Sequence, residues 1–394
     1  MTKEVKISLV DVADDTDLRS LEIKLGNQTL KTPFSSFEAS KFYADTKIPY
    51  SNYINEEYKQ CGDETLKSIN TDSNYVKTLN QKMESSRSKL PKAPRITIVE
   101  HRPKIEADAI APLPTDEQID TMVSTAYSFS DITPIPSVPK FSRKIKNENV
   151  DDLLHYIKKC HDSIEIWNNK PIMGYVPMNL AKIHLIKVLD FYLNNGINTF
   201  YLDFDGTQIT SHKSQVTDIK RYMKERGYEE NCFFHILNAK YGNAINNGAI
   251  YSAKDLLGFG LGFDSLGGIH VSLRRPPEVY EKLKQNKDVQ RNVQRVLCIE
   301  DYGYYRKDLL SEKEFMNKCS DNISLPLLDI YQKDGSRSER LLHILNRCQQ
   351  CNESENLRTL LKEGESSKNT LKHYESKKQI EEKDFKMLKK DKVY

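Results

Sequence analysis

Two carboxylates two positions apart stand out near the middle of the chain. The segment FYLDFDGT, residues 200–207, is an apolar run that ends in Asp203 and Asp205. When an apolar strand ends in two acids, one carboxylate can act as a nucleophile and the other as a general acid or base. The spacing therefore indicates group-transfer chemistry, and the rest of the sequence must indicate which group is transferred.

The D-x-D-G-T pattern resembles the first signature of the haloacid-dehalogenase phosphatases. That family also requires a later lysine and a closing pair of acids that bind magnesium. The only later acid in a comparable setting is Asp264, in GFDSLGG, and no second acid stands beside it. A phosphatase is therefore the third of three functional interpretations.

A second group of reactive residues lies near the end of the sequence. Cys348 and Cys351 form a C-x2-C pair in NRCQQC, and His373 begins the helix-prone segment HYESKKQIEEKDF. Two thiolates at that spacing can bind one tetrahedral zinc ion, with His373 as the third ligand. Cys319 or a water molecule would complete the shell. The alternative is that two incidental cysteines lie in a polar loop.

The composition limits the class of protein. Of 394 residues, 38% are hydrophobic and 29% charged, which suits a globular protein with a sizeable core. Lys and Arg number 59 against 56 Asp and Glu, so any nucleic-acid surface must be a local patch. Seven scattered cysteines, no long apolar run and no signal-peptide pattern predict a cytoplasmic protein with no membrane partner.

The elements that must position these residues alternate regularly. From residue 95 onward, apolar strand patterns alternate with amphipathic helix patterns at intervals of roughly 30 residues, as in βα units. This rhythm predicts an α/β fold, a (β/α)8 TIM barrel. Alternating residues around a Gly-Asn turn predict an N-terminal β-hairpin cap at residues 18–34. The polar stretch 51–94 predicts loops and peripheral helices.

The barrel prediction brings candidate residues together. In such a barrel, the side chains at the carboxyl ends of the strands meet the substrate. The residues that this rule places at one mouth are Glu100, Met173, Gly174, Asp203, Asp205 and Asn238.

Several segments, taken in order, resemble one known family. LLGFGLGFDSLGGIHV followed by DYGYYRKDLL is similar to the tRNA-guanine transglycosylases, especially their archaeal branch. In that family a Phe-Asp-Ser or Phe-Asp-Cys segment carries the nucleophile, and a Tyr-Gly segment and a zinc site follow. The hairpin that ends in Thr-Pro looks like the family's opening. The order agrees from about residue 18 to about residue 390.

The resemblance implies base exchange in a polynucleotide. A guanine is replaced by a 7-deazaguanine through a covalent aspartate intermediate, and Asp264 takes the place of the nucleophile. Glu100 takes the place of the carboxylate that handles the proton of the base, with Asp72 in NTDSNY as the competing candidate. The transition state at the anomeric carbon is oxocarbenium-like, so a carboxylate below the sugar stabilises it.

The base pocket departs from the family pattern. Met173 and Gly174 stand where the family has Gln-Gly, and the segment with Asp203 and Asp205 stands where it has a Gly-Gly recognition strand. A carboxylate accepts hydrogen bonds from the N–H groups of a base, so Asp203 and Asp205 are predicted to bind the purine or 7-deazapurine.

The resemblance also implies a metal and partners. The family's C-x-C-x2-C and His pattern matches at Cys348, Cys351 and His373, with Asn346 in place of the first cysteine. Arg274 and Arg275 are predicted to contact phosphates of a tRNA or, as in some relatives, of DNA. A homodimer or a heterodimer with a related subunit remains open.

Two domains are predicted: a transglycosylase-like barrel over residues 1–315, and a zinc-binding-like helical subdomain with a basic tail over residues 316–394. The second functional interpretation is a non-catalytic paralogue that keeps the barrel and binds nucleic acid or a partner subunit. Glu100 and Asp264 facing each other across one cavity would favour the enzyme, and a mouth filled by apolar side chains would favour the paralogue.

Overall fold

The computed structural model describes residues 5–25, 28–104, 111–145, 149–167, 169–271, 293–363 and 369–390. The strands, in chain order, are β1 Lys6–Val12, β2 Arg19–Leu25, β3 Gln28–Lys31, β4 Phe34–Phe37, β5 Ile54–Cys61, β6 Arg95–His101, β7 Thr133–Pro134, β8 Ile172–Pro177, β9 Thr199–Asp203, β10 Phe233–Leu237, β11 Ala244–Ile245, β12 Ile250–Ser252, β13 Ser265–Leu266, β14 Arg295–Cys298 and β15 Gly303–Arg306.

The α-helices are α1 Asp63–Thr71, α2 Ser73–Lys89, α3 Asp116–Ser128, α4 Pro139–Ser142, α5 Val150–Glu165, α6 Lys182–Asn194, α7 Lys213–Glu225, α8 Leu257–Gly260, α9 Glu312–Lys318, α10 Leu327–Gln332, α11 Ser336–Lys362, α12 Thr370–Glu375 and α13 Glu382–Phe385. Short 3-10 helices occupy Ala39–Lys41, Ile209–His212, Asn246–Gly248, Lys254–Leu256 and Lys307–Leu309. Among these helices of the described chain, none is long and apolar enough to cross a membrane.

Eight parallel strands form the centre of the molecule, in the order β6-β5-β4-β13-β10-β9-β8-β7. The two edges meet where Glu100 of β6 forms a parallel bridge with Ser137, just beyond β7. There the Ser137 amide donates to the Val99 carbonyl at 2.8 Å. The predicted α/β class is confirmed, and the sheet is a nearly closed barrel consistent with a TIM-like barrel.

Helices cover the barrel with one apolar face each. In α5, the buried residues recur every three or four positions, which places them on the stripe that faces the sheet; they are Val150, Leu153, Tyr156, Ile157, Cys160, His161 and Ile164. The start of α3 is fixed by a capping box in which Thr115 and Gln118 satisfy each other's backbone amides. Both helices lie after residue 95, in the part of the chain for which the sequence predicted amphipathic helices.

Strand β5 was not predicted. Within residues 51–94 the sequence indicates only loops and helices, and α1 and α2 confirm the helices. Yet INEEYKQC forms a barrel strand that pairs with β6 along its whole length. Residues two positions apart share one face of a strand, so Glu56, Tyr58 and Gln60 lie on the same face, although both faces carry polar residues.

The N-terminal segment forms a three-stranded antiparallel sheet in the order β1-β2-β3. The strands β2 and β3 confirm the predicted hairpin strands, whose turn at 26–27 lies outside the described residues, and β1 is an addition. The Arg19 side chain donates to the Cys232 carbonyl at 2.8 Å, just before β10. This sheet therefore contacts the barrel at the N-terminal ends of its strands.

The later part of the chain packs back onto the barrel. A four-stranded sheet has the order β11-β12-β15-β14, and the long helix α11 lies against β4 and β14. Segments distant in sequence also meet: the Leu371 amide donates to the Asp15 carboxylate at 2.9 Å, and the Lys390 amide to the Asp15 carbonyl at 3.0 Å. The domain boundary predicted after residue 315 falls inside α9 and stays a prediction.

Candidate active site

Asp203 ends strand β9 at the carboxyl-terminal mouth of the barrel and is 2% exposed. Its Oδ1 accepts hydrogen bonds from the Asn238 side-chain amide and from the Asp205 backbone amide, both at 2.9 Å. Among the described residues, no hydrogen-bond donor reaches its Oδ2. Burial raises the pKa of Asp203 to about 7, and the negative charges of Asp205 and Glu100 add to the rise.

The chain turns sharply after β9 and after β10. Asp205 has a φ of 50° and Gly206 a φ of 75°, and Asn238, which directly follows β10, has a φ of 57°. These left-handed conformations are available to Gly, Asn and Asp at low cost. A side chain at Gly206 would also meet Val271 at 2.8 Å. The turns therefore aim Asp203 and Asn238 at each other across the mouth.

Asp205 lies beside Asp203 but has a different environment. The Arg143 guanidinium donates to both Asp205 carboxylate oxygens through Nε and an Nη. Arg143 thus holds Asp205 at the rim, whereas Asp203 is buried and one of its oxygens has no partner in the part of the chain that the structure describes.

The Asn238 side-chain oxygen accepts from the His270 amide at 2.7 Å, which ties β10 to the segment after β13.

Glu100 approaches from strand β6 and is also 2% exposed. Its Oε2 accepts the Tyr58 hydroxyl at 2.9 Å. Burial raises the pKa of Glu100, while the Tyr58 hydrogen bond and the Arg102 charge oppose that rise. Burial likewise raises the pKa of Tyr58, and the charges of Glu100 and Asp203 raise it further. The structure therefore brings Glu100, Asp203 and Tyr58 together, as the strand-end rule predicted for the two acids.

Met173 and Gly174 do not join this group. Both are fully buried near the start of β8, whose carboxyl end is Pro177. A side chain at Gly174 would meet the Tyr192 ring at 2.8 Å, so the glycine makes room for helix α6. The prediction that this pair lies at the mouth is corrected: the two residues belong to the packed core.

Asp264 lies at the other end of the barrel. It precedes β13, and its Oδ2 accepts the Phe234 amide at 2.8 Å, whereas Asp203 pairs with Leu237, three residues further along β10. At about 3.3 Å per residue, that difference is about 10 Å along the strand. The Asp264 carboxylate accepts Arg19 at 2.9 and 2.7 Å and is fully buried.

The expectation that Asp264 and Glu100 share one cavity at the mouth is therefore wrong. Asp264 stands before its strand and not at the carboxyl end. The competing acid Asp72 is not at the mouth either: it caps the N-terminus of α2, accepting from the Asn74 and Tyr75 amides.

The cysteine pair and His373 do not fit a zinc ion. Cys348 and Cys351 lie in the middle of helix α11, within an apolar cluster that also contains Cys319. Burial raises the pKa of both thiols, that of Cys351 to about 12. His373 is paired with Glu353 at 2.6 Å. In the described part of the chain, no group of three His, Cys, Asp or Glu side chains is placed to bind a metal.

Asn346, two positions before Cys348, has a structural contact. The Asn346 side chain accepts from the Leu297 amide and donates to the Arg295 carbonyl, each at 2.8 Å. Asn346 therefore fastens α11 to β14. The predicted phosphate-binding residues Arg274 and Arg275 lie outside the described residues.

Sequence reasoning missed a charged network below the mouth. Glu56 accepts from His235 at 2.8 Å, from His270 at 2.5 Å and from the Gly268 amide at 2.8 Å. Burial raises the pKa of Glu56, but the two histidines outweigh burial and hold it well below its usual value. The His270 ring stacks on Tyr58 with centroids 4.2 Å apart. Strand β5 carries polar residues on both faces, so no alternation of apolar and polar residues indicated it.

Neither the protein-family models nor the curated proteins searched give a match to this sequence. The mouth of the barrel, where two buried carboxylates meet a tyrosine and a turn held by an arginine, is therefore the feature from which a function can be inferred.

Proposed function

We propose that this protein exchanges a base at the anomeric carbon of a nucleotide within a polynucleotide, in the manner of the tRNA-guanine transglycosylases. A 7-deazaguanine replaces guanine, with tRNA as the first candidate substrate and DNA as the second. The proposal includes a (β/α)8 barrel with the β1–β3 sheet as a cap. The observation that carries it is the meeting of Glu100 and Asp203, two buried carboxylates, at the barrel mouth.

Asp203 suits the handling of protons. A pKa of about 7 leaves both protonation states populated near neutrality, which is the condition for an efficient general acid and base. Its Oδ2 is buried and lacks a hydrogen-bond donor among the described residues, which leaves one acceptor of this carboxylate unused. This assignment differs from the sequence expectation, in which Glu100 handled the proton and Asp264 attacked.

Glu100 is the residue that we assign as the nucleophile. The Tyr58 hydroxyl fixes the Glu100 Oε2 at 2.9 Å, and a hydrogen bond from Gln60 also holds this carboxylate. In the first step a Glu100 oxygen bonds to the anomeric carbon, the glycosidic C–N bond breaks, and Asp203 gives its proton to the departing guanine. In the second step the incoming base loses a proton to Asp203, its nitrogen bonds to the carbon, and the Glu100 carboxylate is released.

Isotope exchange tests the proposal directly. Labelled guanine or 7-deazaguanine should enter tRNA in the presence of the wild-type protein. Asp203→Asn and Glu100→Gln should each lower the rate by about 100-fold or more, the usual contribution of such a group. Asp308→Asn, which changes an exposed carboxylate, is the matched control. Incorporation that survives in both mouth variants would refute the assignment.

Nucleoside mass spectrometry provides the cellular test. Nucleic acid from cells with and without the gene should differ by one 7-deazaguanine nucleoside. The fraction that contains it, tRNA or DNA, identifies the substrate.

The second candidate function is a non-catalytic transglycosylase paralogue that binds nucleic acid or a related subunit. One observation favours it. Asp264, the residue in the family's nucleophile position, forms a buried ion pair with Arg19, and this pair occupies the carboxylate that would have to attack the sugar. This protein would bind tRNA, and Asp203→Asn would leave that affinity unchanged. Absence of exchange with every polynucleotide and base tested, together with retained binding, would select it. A phosphatase gains no support, since Asp205 is held by Arg143.

A further inference from the structure

Cations lie beside the barrel mouth where strands β6 and β7 end. Arg102 directly follows β6, whereas Lys140 lies in helix α4 and Arg143 directly follows that helix. Burial raises the pKa of Glu100, and the charges of Arg102 and Arg143 are among the effects that oppose the rise. Burial lowers the pKa of Lys140, and the charges of the same two arginines lower it further. The three cations are therefore close to one another and to Glu100.

Two of these cations are held by uncharged acceptors and remain accessible. The Lys140 ammonium donates to the Pro103 carbonyl at 2.6 Å, and the Arg102 guanidinium donates to the Gln60 side-chain oxygen. Arg102 and Lys140 are both partly exposed to solvent. Because neither acceptor carries a charge, both side chains can still pair with an anion that approaches from solvent.

A second group of cations lies on the β4 side of the mouth. Tyr43 lies in the segment that follows β4, and the guanidinium carbons of Arg337 and Arg340 on helix α11 are 4.8 and 5.7 Å from the centre of its ring. Both arginines, called here the arginine pair, are exposed. Arg337 is 3.3 Å from Asp45 in an exposed ion pair, which contributes little to stability. Within the described ranges, Arg340 has no acidic partner.

A series of contacts joins the arginine pair to the mouth. One turn further along α11, the His343 Nε2 lies 3.0 Å from the Glu38 carboxylate, whose other oxygen lies 3.9 Å from the His270 Nδ1. The His270 ring stacks on Tyr58, and Tyr58 donates to Glu100. Glu38 is buried, and the two histidines compensate its charge. The arginine pair is therefore an accessible cationic surface on the same side of the barrel as Glu100.

From these two groups we propose that the rim of the mouth is a docking surface for the phosphate backbone of a polynucleotide. Arg102 and Lys140 bind phosphate on one side of the reacting nucleotide, and the arginine pair binds phosphate on the other. Cations at two places around one mouth suit a polymer that carries a charge on every unit. Guanidinium groups bind phosphate oxygens in a bidentate manner, and stacking on a ring holds them ready to do so. The inference rests on the proposed function, which makes the mouth the reacting site.

Fluorescence anisotropy with a labelled tRNA transcript, measured over a series of salt concentrations, is the primary test. In the double variant Arg337→Gln, Arg340→Gln, we expect affinity to fall about tenfold or more and the salt dependence to lose about one to two phosphate contacts. Lys140→Gln should remove about one contact. Arg226→Gln is the matched control, because Arg226 is also exposed and lies 5.6 Å from the Tyr222 ring, at the opposite end of the barrel.

Further variants and probes separate charge from structure and identify the partner. The double variant Arg337→Lys, Arg340→Lys keeps both charges and should retain most of the affinity, and circular dichroism verifies the fold of each variant. Single-stranded DNA is compared with the tRNA, and tighter binding of either one identifies the source of the phosphates. Poly-glutamate that requires the arginine pair, without binding of either nucleic acid, would overturn the proposal in favour of an acidic protein partner. Equal weakening in Arg226→Gln would overturn it as well.

The outcome can be separated from that of the exchange reaction. The rim variants should raise the KM for the polynucleotide more than they change kcat, whereas Asp203→Asn should lower kcat and keep the affinity. Exchange with an unchanged KM in the rim variants would overturn the docking surface and leave the proposed function standing. Binding of tRNA that requires the arginine pair, in a protein without exchange activity, would do the reverse.

Discussion

Each end of the barrel holds a buried aspartate, Asp264 at the N-terminal end and Asp203 at the mouth. The two carboxylates differ in how many of their hydrogen-bond acceptors have a donor. At the N-terminal end, Asp264 receives two hydrogen bonds from Arg19 and one from the Phe234 amide. Among the described residues, Asp203 at the mouth forms no ion pair, and one of its oxygens lacks a hydrogen-bond donor. Such an incompletely satisfied carboxylate has capacity for a substrate, whereas a fully bonded one serves the fold.

The largest effect is expected at the N-terminal end of the barrel, where Asp264 pairs with Arg19. Asp264→Ala leaves the Arg19 guanidinium buried without its counter-ion, which should lower the free energy of unfolding by about 3–5 kcal/mol. Urea denaturation measures the change. Asp308→Ala, which breaks the more exposed pair with Arg306, should cost less than about 1 kcal/mol. If the two variants lost the same free energy of unfolding, the buried pair would contribute no more to stability than the exposed pair.

At the mouth, removing the charge of Asp203 should raise the free energy of unfolding, the opposite of the effect expected at Asp264. Folding raises the pKa of Asp203 from its ordinary 3.8 to about 7, so its contribution to stability falls as the pH rises across that interval. Asp203→Asn has no such titration. The variant should match the wild type near pH 4 and exceed its unfolding free energy by about 1–3 kcal/mol at pH 8. A difference between the two proteins that does not vary with pH would contradict the shifted pKa.

A smaller effect is expected at Tyr58. Tyr58→Phe removes the hydroxyl that donates to Glu100 but keeps the ring that stacks on His270. The loss of one hydrogen bond to a buried carboxylate should cost about 1–2 kcal/mol of stability and raise the apparent pKa of the exchange rate attributed to Glu100. A pH–rate profile of wild type and variant measures the shift. Identical profiles would mean that Tyr58 does not position Glu100.

The smallest effect is expected from chelation. Because Cys348, Cys351 and His373 do not converge, a strong chelator should change the melting temperature by less than about 1 °C, whereas structural zinc contributes about 10 kcal/mol in small zinc domains. Differential scanning fluorimetry with and without the chelator measures this, and elemental analysis of the purified protein is the control. A large chelator-dependent drop would restore the predicted zinc site.

The sequence predicted the fold best where burial follows a simple pattern. Strands β6, β8, β9 and β10 are apolar runs, and the strand-end rule correctly placed Glu100 and Asp203 together. Strand β5 was missed because polar residues occupy both of its faces. The tertiary partners His235 and His270 stabilise the buried Glu56. Periodicity in hydrophobicity cannot reveal a strand that is stabilised by distant polar contacts.

The structure places Asp264 away from its predicted position and does not group the predicted zinc ligands, in each case for a local reason. Strand β13 contains two residues, so no alternation indicates that Asp264 stands before the strand and not after it. The spacing of Cys348 and Cys351 suits metal binding, but three positions also separate neighbours on one helical face. In α11 these cysteines continue the buried stripe of Leu341, Ile344 and Leu345. Whether such a pair binds metal depends on what packs against it.

The contact between Asp15 and the segment 370–390 has a consequence for biosynthesis. A ribosome makes residue 15 long before Leu371 and Lys390, which hold it in the folded protein. The same delay applies to β4, whose neighbour β13 is over two hundred positions later. Nascent chains must therefore keep strand edges unpaired until synthesis is nearly finished, which exposes them to aggregation and makes them substrates for chaperones.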